Sequence, residues 1–547
     1  MNDAPRPRGM ILAAGYGTRL VPITDHLPKP LLPVAGGTLL DRAITALDQA
    51  GVAEIAVNTH HLAPRIEAHL AERPDHGRFT ICHEPEILGT GGALDGAREF
   101  LNAADGFLLH NGDVQADVDL ADLWREHTDS GAVATLVLVD WPAVNSVQVG
   151  GDGTVLSVAG QPPAPGGRHL TYAGIGAFDS TLLADIGPGF SSLIDPLVRA
   201  IAARPGSVRA WIPPAPGWSD LGTLPRWLEV VAALGTVTGG GASLLPLTGH
   251  GSDRRFWRLD TGDWSAVVMQ SPREDTEFAR GVAIGRFLAE RDLGAPAVLD
   301  VHLPERVLLL EDVGATDLQA VYGSRRPQVY DKVVDLLLRL QDATDNACPE
   351  AVDRALDRSQ LAWETDYFRE HFLRGHCGLN QEALTALDAG FTALGDAVAT
   401  QPMVLIHRDF QSQNILFEEG RVRLVDVQGM RLGPLGYDLA SLVWDPYVDL
   451  GDDLRSSLVD RFARAAGRRH DLDAASVEGM VRLAALQRLM QALGAFGFLG
   501  RVKGKTGFLA HIPRGVDHLR AALVASRDDL SLPALEDLLA RTECDGS

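Results

Sequence analysis

From Met10 to about residue 235, short apolar runs alternate with amphipathic stretches, and this alternation narrows the choice of folds more than any single motif does. The run MILAAG reads as a buried strand feeding a glycine-rich loop. GTLLDRAITALDQAG follows as a helix, with Leu39, Leu40, Ala43, Ile44 and Leu47 at helical spacing and a glycine stop. EIAVNT, FTICHE, GFLLHNGDV and AVATLVLVD continue as strands, separated by the helical stretches APRIEAHLAE, GALDGAREFL and DLADLWREH. Strands that alternate with helices predict an α/β region with a mostly parallel sheet covered on both faces. Hairpin material (VNSVQVGGDGTVLSVAG), a helix around SLIDPLVRAIAARPG and a final WLEVVAAL helix complete the region.

The pattern breaks at TVTGGGA, where three consecutive glycines make a poor element interior. The chain is therefore expected to hold one domain over residues 1–236, a linker over 237–242 and a second domain over 243–547. The second domain opens as strand–turn–strand, with turns at Gly249–Ser252 and Thr261–Asp263, and passes through the helix TEFARGVAIGRFLAERDLG. A strand pair around APAVLDV and RVLLLEDVG follows, and the remainder is mainly helical. The two halves share no repeat, which favours two unlike enzymes over a duplication. With 49 basic against 72 acidic residues the net charge is −23, a poor match for nucleic acid or an anionic membrane. Cys82, Cys348, Cys377 and Cys544 form no CxxC pair, which argues for a reducing compartment. Gln487, Arg488 and Gln491 interrupt the most apolar long stretch, so it reads as a buried helix rather than a membrane span. A cytoplasmic enzyme acting on small molecules is expected; oligomeric state is not readable.

Residues 10–34 carry the first chemical constellation. Ala13, Gly15, Gly17 and Thr18 form a loop of small residues that lets backbone N–H groups approach phosphate oxygens, Arg19 can clamp a triphosphate, and Lys29 lies between two prolines in a segment expected to be extended. Asp113 ends an apolar strand, the edge where ligands gather in open α/β sheets, and Asp220 follows in GWSDLGT. Two carboxylates suit Mg²⁺, with water and phosphate completing its shell. The string LAAGYGTRLVPIT…PKPLLPV, with NGD and WSDLGT, resembles the sugar-1-phosphate nucleotidyltransferase family over about residues 9–235. NTHHLAPRIEAHL, EPEILGTGGAL and TYAGIGAF are most similar to its N-acetylmuramate-1-phosphate uridylyltransferases. The resemblance implies a Rossmann-like fold in which Ala13, Gly15 and Gly17 line UTP and Arg19 and Lys29 hold its phosphates. It also implies Asp113 and Asp220 on Mg²⁺, Gly89, Thr90 and Gly91 by the base, and Asn58 and Gly174 near the sugar.

VLIHRDFQSQNILF supplies the second constellation. His407, Asp409 and Asn414 have the H-x-D-x-x-x-x-N spacing, and Asp426 follows on a strand. The chemistry needs one base, Asp409, and two metal ligands, Asn414 and Asp426, across the phosphates of ATP. Together with Tyr437 and Asp438 in PLGYDLASL, these residues resemble aminoglycoside- and choline-kinase-like phosphotransferases, implying a bilobal α+β kinase-like fold over roughly 243–520. RVLLLEDVG fits the hinge, with Glu311 and Asp312 at the adenine. The strand expected to carry a phosphate-binding lysine reads SAVVMQSP and has none. Either the kinase is dead or another cation serves, and Arg254 or Arg255 is then the candidate. The double-arginine segment resembles N-acetylmuramate/N-acetylglucosamine anomeric kinases.

Taken together, the resemblances imply ATP-dependent phosphorylation of an amino sugar at its anomeric hydroxyl, then uridylyl transfer from UTP, in peptidoglycan recycling. Three alternatives remain at this level: a mannose-1-phosphate guanylyltransferase pairing, a choline kinase with a cytidylyltransferase, and a transferase carrying a non-catalytic nucleotide-sensing module. His60 and His61 lack a third metal ligand at sensible spacing and read as pocket or surface residues.

Overall fold

The computed structural model describes residues 6–214, 217–247, 253–321 and 326–541; the expected turn at Gly249–Ser252 lies outside the described residues. Two compact units result. One comprises Met1–Thr248, Arg255–Gln270 and Val307–Leu309, and the other Gly249–Arg254, Ser271–Arg306 and Leu310–Ser547.

The first unit is built on nine strands: β1 (Arg8–Leu12), β2 (Ile55–Thr59), β3 (Phe79–His83), β4 (Gly106–Asn111), β5 (Ala134–Val139), β6 (Val147–Val149), β7 (Val155–Val158), β8 (Arg168–Asp179) and β9 (Val208–Trp211). Their order is β3-β2-β1-β4-β8-β6-β7, with β5 pairing β8 and β9 pairing β5. The β1–β2, β1–β4, β2–β3 and β5–β9 pairs are parallel. Near-continuous burial along β1, β2, β4 and β5 matches strands covered on both faces. The register decides where chemistry can occur. Leu12 pairs with both Asn58 and Asn111, so the loop after β1 and the ends of β2 and β4 meet at one edge.

The helix Leu39–Gln49 starts on a capping box in which the Thr38 hydroxyl accepts from the Asp41 N–H and the Asp41 carboxylate accepts from the Thr38 N–H. Sequence periodicity did not reveal β8 as a strand. It is 12 residues long and antiparallel to β4, and its register shifts between Tyr172 and Gly176. Gly174 adopts φ +77° inside it, which breaks the alternation that marks ordinary strands.

The glycine-rich segment expected as a linker is instead a hairpin. β10 (Val237–Gly239) pairs antiparallel with β11 (Ala242–Leu247), and Gly240 and Gly241 turn with φ +60° and +76°. Paired left-handed residues are what a tight two-residue hairpin requires, so the glycines serve the turn rather than flexibility. β11 continues the ladder into β12 (Arg255–Asp260) and β13 (Ser265–Gln270), which accounts for their grouping with the first unit.

In the second unit, β14 (Met403–Ile406) pairs with β15 (Arg431–Pro434), and the hairpin Ile415–Glu418/Arg421–Leu424 carries the loop between them. A 24-residue helix, Ala474–Gly497, packs against helices Arg358–Phe368, Tyr437–Val443, Asp452–His470 and Ile512–Ala525. It is the predicted buried helix; among the described residues no helix is long and apolar enough to cross a membrane.

Candidate functional site

At the β1 edge a cavity of about 220 Å³ is lined by Ala13, Ala14, Gly15, Gly17, Lys29, Asn58, Glu84, Gly89, Thr90, Asn111 and Asp113. Lys29 is buried and not extended: it begins a 3-10 turn closed by the Leu31 N–H on the Pro28 carbonyl (2.8 Å) and by the Leu32 N–H on its own carbonyl (3.0 Å). Its Nζ donates to Asp113 Oδ2 at 2.8 Å and to Asp220 Oδ1 at 3.2 Å. The two aspartates are 107 positions apart in sequence, and a short antiparallel bridge joins them by setting Asp220 opposite Val114. Arg19 donates to Asp220 Oδ2 at 3.3 Å, an approach open only because Gly222 has no Cβ to occupy the guanidinium's place. Burial pushes the Asp220 carboxyl up, but Lys29 and Arg19 outweigh it and hold the group below its usual range.

Other predicted residues fall differently. Asn58 Oδ1 accepts from the Ala13 N–H at 2.7 Å, and its amide donates to the buried Glu84 carboxylate at 2.7 Å, which also accepts from the Leu88 N–H at 2.8 Å. Asn58 thus pins the phosphate loop as well as lining the cavity. Gly89 takes φ +73°, with the Ser191 carbonyl 2.6 Å from where a Cβ would stand. The Thr90 hydroxyl accepts from the Leu193 N–H at 2.9 Å. Gly91 abuts Ser191 and Gly174 abuts the Asn111 side chain, so both shape neighbours of the cavity rather than line it. Thr18 starts a 3-10 turn and is likewise absent from the lining.

The second unit gathers a different set. Asp438, wholly buried, accepts from the His407 N–H (2.6 Å) and the Arg408 N–H (3.0 Å), which fixes the loop carrying Asp409. Burial raises the Asp438 carboxyl to about 7 against the pull of those two N–H groups. His407 Nε2 donates to the Val425 carbonyl at 3.0 Å, tying that loop to the strand before Asp426. Asn414 Nδ2 donates to the Asp409 carbonyl at 2.9 Å, so its Oδ1 is the atom that could hold a cation. Asp426 sits at φ +65°, a costly conformation for a non-glycine residue.

Arg254 reaches this centre and Arg255 does not. Arg254 Nε and Nη2 donate to Asp275 Oδ2 at 3.0 and 2.9 Å, and its Nη1 lies 3.8 Å from Asp426 Oδ1. Arg255 donates to the Ala232 carbonyl and lies over the Trp257 ring, 4.8 Å from its centroid. The Glu311 carboxylate pairs with Arg423, and its N–H donates to the Ala297 carbonyl at 2.9 Å, so neither group is open to adenine.

A family model for Nucleotidyl transferase matches residues 8–236, and one for the Phosphotransferase enzyme family matches residues 243–486. N-acetylmuramate alpha-1-phosphate uridylyltransferase from Neisseria meningitidis is 34% identical over 241 residues, covering 42% of this chain and 98% of the relative. The chain belongs to the nucleotidyl transferase family, fused to a phosphotransferase. N-acetylmuramate/N-acetylglucosamine kinase from Pseudomonas aeruginosa is 28% identical over 305 residues, 55% of this chain and 88% of the relative. The catalytic subunit beta of mannose-1-phosphate guanylyltransferase from Dictyostelium discoideum is 30% identical over 202 residues, but these cover 36% of this chain and 56% of that protein.

Sequence reasoning missed three residues. In the nucleotidyl transferase part it is Glu84, which directly follows the largely exposed strand β3, so its burial leaves no mark in the sequence pattern. In the phosphotransferase part they are Asp275, which orients Arg254, and Arg488. Arg488 is buried, donating to Gln411 Oε1 at 3.0 Å and Ser441 Oγ at 3.1 Å, with Nη2 3.4 Å from Asp409 Oδ1. An arginine in the middle of the most apolar long stretch was the available signal, since such residues are seldom buried unpaired.

Proposed function

We propose that the protein phosphorylates N-acetylmuramate, or N-acetylglucosamine, at its anomeric hydroxyl with ATP and then transfers a uridylyl group from UTP to that phosphate, releasing pyrophosphate. The observation that carries the reading is the pair of separate centres, one with Lys29 between two carboxylates and one in which Asn414 donates to the Asp409 carbonyl and Arg254 approaches Asp426. Relatives of both kinds, each covered over most of its length, support the amino sugar. The mannose reading is disfavoured by its shorter match.

In the transferase centre the backbone of Ala13 to Gly17 cradles the nucleotide phosphates, Arg19 clamps them, and Lys29 draws charge from the α-phosphoryl as the sugar phosphate attacks in line. No base is required, because a phosphate nucleophile is already ionised. In the kinase centre the nucleophile is a hydroxyl, so Asp409 accepts its proton while Arg254, aligned by Asp275, steadies the ATP phosphates. The oxygen donors Asp113 with Asp220, and Asn414 with Asp426, fit a hard cation whose shell is completed by phosphate and water. Magnesium would supply charge neutralisation of the phosphates at both centres. The enzyme acts in the cytoplasm, in recycling of peptidoglycan sugars.

A screen of purified protein with each nucleoside triphosphate and each sugar or sugar 1-phosphate tests this. ADP release that depends on N-acetylmuramate or N-acetylglucosamine, and pyrophosphate release that depends on UTP with the sugar 1-phosphate, are expected. Preference for GTP with mannose 1-phosphate would reject the reading.

A further inference from the structure

Close to Asp409 lies an arginine that the chemistry above does not use, Arg431, held by the carbonyl of Gly429. The charges of Arg408, Arg280 and Arg354 bear on Arg431, as does that of Asp409. Arg280 is buried, pairs with Asp353 and donates to the Met430 carbonyl at 2.6 Å. Arg354 grips both carboxylate oxygens of Glu277, at 2.8 and 3.1 Å. Arg408 lies 3.8 Å from Glu364, but that buried carboxylate already accepts from the Tyr437 hydroxyl at 3.1 Å and the Gln487 amide at 3.2 Å.

Arg431 is left over. Its Nε donates to the Gly429 carbonyl at 2.9 Å, and among the described residues no carboxylate pairs with it. It begins β15, directly opposite Ile406, two residues before Arg408. Gly429, which anchors it, lies against the base: a Cβ there would stand 3.8 Å from Asp409 Oδ2. Burial and the charges of Arg408, Arg280 and Arg354 make the Arg431 guanidinium more acidic than usual. Holding a half-buried cation among like charges costs stability, and an incoming anion removes that cost.

Arg254 already reaches Asp426, at 3.8 Å, whereas Arg431 is held by the carbonyl of Gly429, the residue that abuts Asp409, so the anion inferred for Arg431 belongs to the acceptor rather than the nucleotide. The acceptor hydroxyl must meet Asp409 for its proton to be taken. Among the described residues no hydrogen bond engages either Nη of Arg431, and such a guanidinium matches a planar carboxylate in a forked geometry. We propose that Arg431, with Arg408 beside it, binds a carboxylate on the acceptor sugar, so that the kinase centre selects the acidic amino sugar N-acetylmuramate over neutral N-acetylglucosamine. The assignment rests on the functional reading above and specifies which of its two sugars the site is built for.

The test compares kcat/KM for the two sugars in the full-length enzyme. In Arg431→Gln the ratio of N-acetylmuramate to N-acetylglucosamine falls by about tenfold or more, and Arg431→Lys restores part of it. An unchanged ratio in Arg431→Gln overturns the assignment, as does an equal loss for both sugars accompanied by a raised KM for ATP. The unaltered enzyme provides a second measurement: the methyl ester of N-acetylmuramate, neutral at the carboxyl, shows a KM about tenfold higher than the acid. Equal KM values overturn the assignment without any variant. Turnover of neither sugar by the unaltered enzyme would reject the functional reading itself.

Discussion

The two centres solve phosphate chemistry with opposite charge arrangements. In the first unit a buried lysine is shared by two carboxylates drawn from distant segments. In the second an arginine is held by its own aspartate near a metal-ligand candidate, and a separate aspartate, Asp409, stands beside a buried arginine. The nucleophile explains the difference. A sugar phosphate arrives ionised, so its centre needs only cations that steady the α-phosphoryl, whereas a sugar hydroxyl must lose its proton and needs a base. Arg488 donates toward Asp409 Oδ1 at 3.4 Å and so helps to orient that carboxylate.

The sharpest way to break the comparison is Asp409→Asn. ADP release with N-acetylmuramate falls by about 10²- to 10⁴-fold, while pyrophosphate release from supplied sugar 1-phosphate and UTP stays within about twofold. Loss of both would mean the centres do not act separately. Lys29→Met is the mirror test, with uridylyl transfer reduced about 10²- to 10³-fold and ADP release retained. Arg254→Ala sharpens the cation assignment: KM for ATP rises about tenfold, against less than about twofold in Arg255→Ala, both read by initial rates. A reversed pair of values would return the phosphate role to Arg255.

The smallest effect concerns stability. Asp41, in the capping box of Leu39–Gln49, is pushed up by burial, but hydrogen bonds from His69 and Thr38 prevail and set its carboxyl at about 2. A carboxyl depressed on folding stabilises the fold above its ordinary value near 4 and loses that contribution as pH falls toward 2. Asp41→Asn therefore lowers stability by about 1 kcal/mol at pH 7 in chemical denaturation, and the difference shrinks below pH 3.

Strand–helix alternation made most of the first unit legible, because burial on both faces writes long apolar runs. β8 was hidden because Gly174 and Gly176 interrupt its pattern, and the hairpin at Gly240–Gly241 read as a linker because turn glycines and flexible glycines look alike in sequence. Motif spacing brought out Lys29, Asp409, Asn414 and Asp426 as candidates. It could not choose between Arg254 and Arg255, whose side chains diverge from adjacent positions, nor find Asp275, which matters only through Arg254. Asn58 was expected near the sugar, yet its contacts also hold the loop at Ala13, a role that depends on strand register.

Mass-spectrometric identification of products from the purified chain given N-acetylmuramate, ATP and UTP tests the two-centre account most directly. UDP-N-acetylmuramate forms, its formation requires ATP, and supplying N-acetylmuramate 1-phosphate removes that requirement. A sugar nucleotide made from the free sugar without ATP, or none made from the 1-phosphate and UTP, would contradict it.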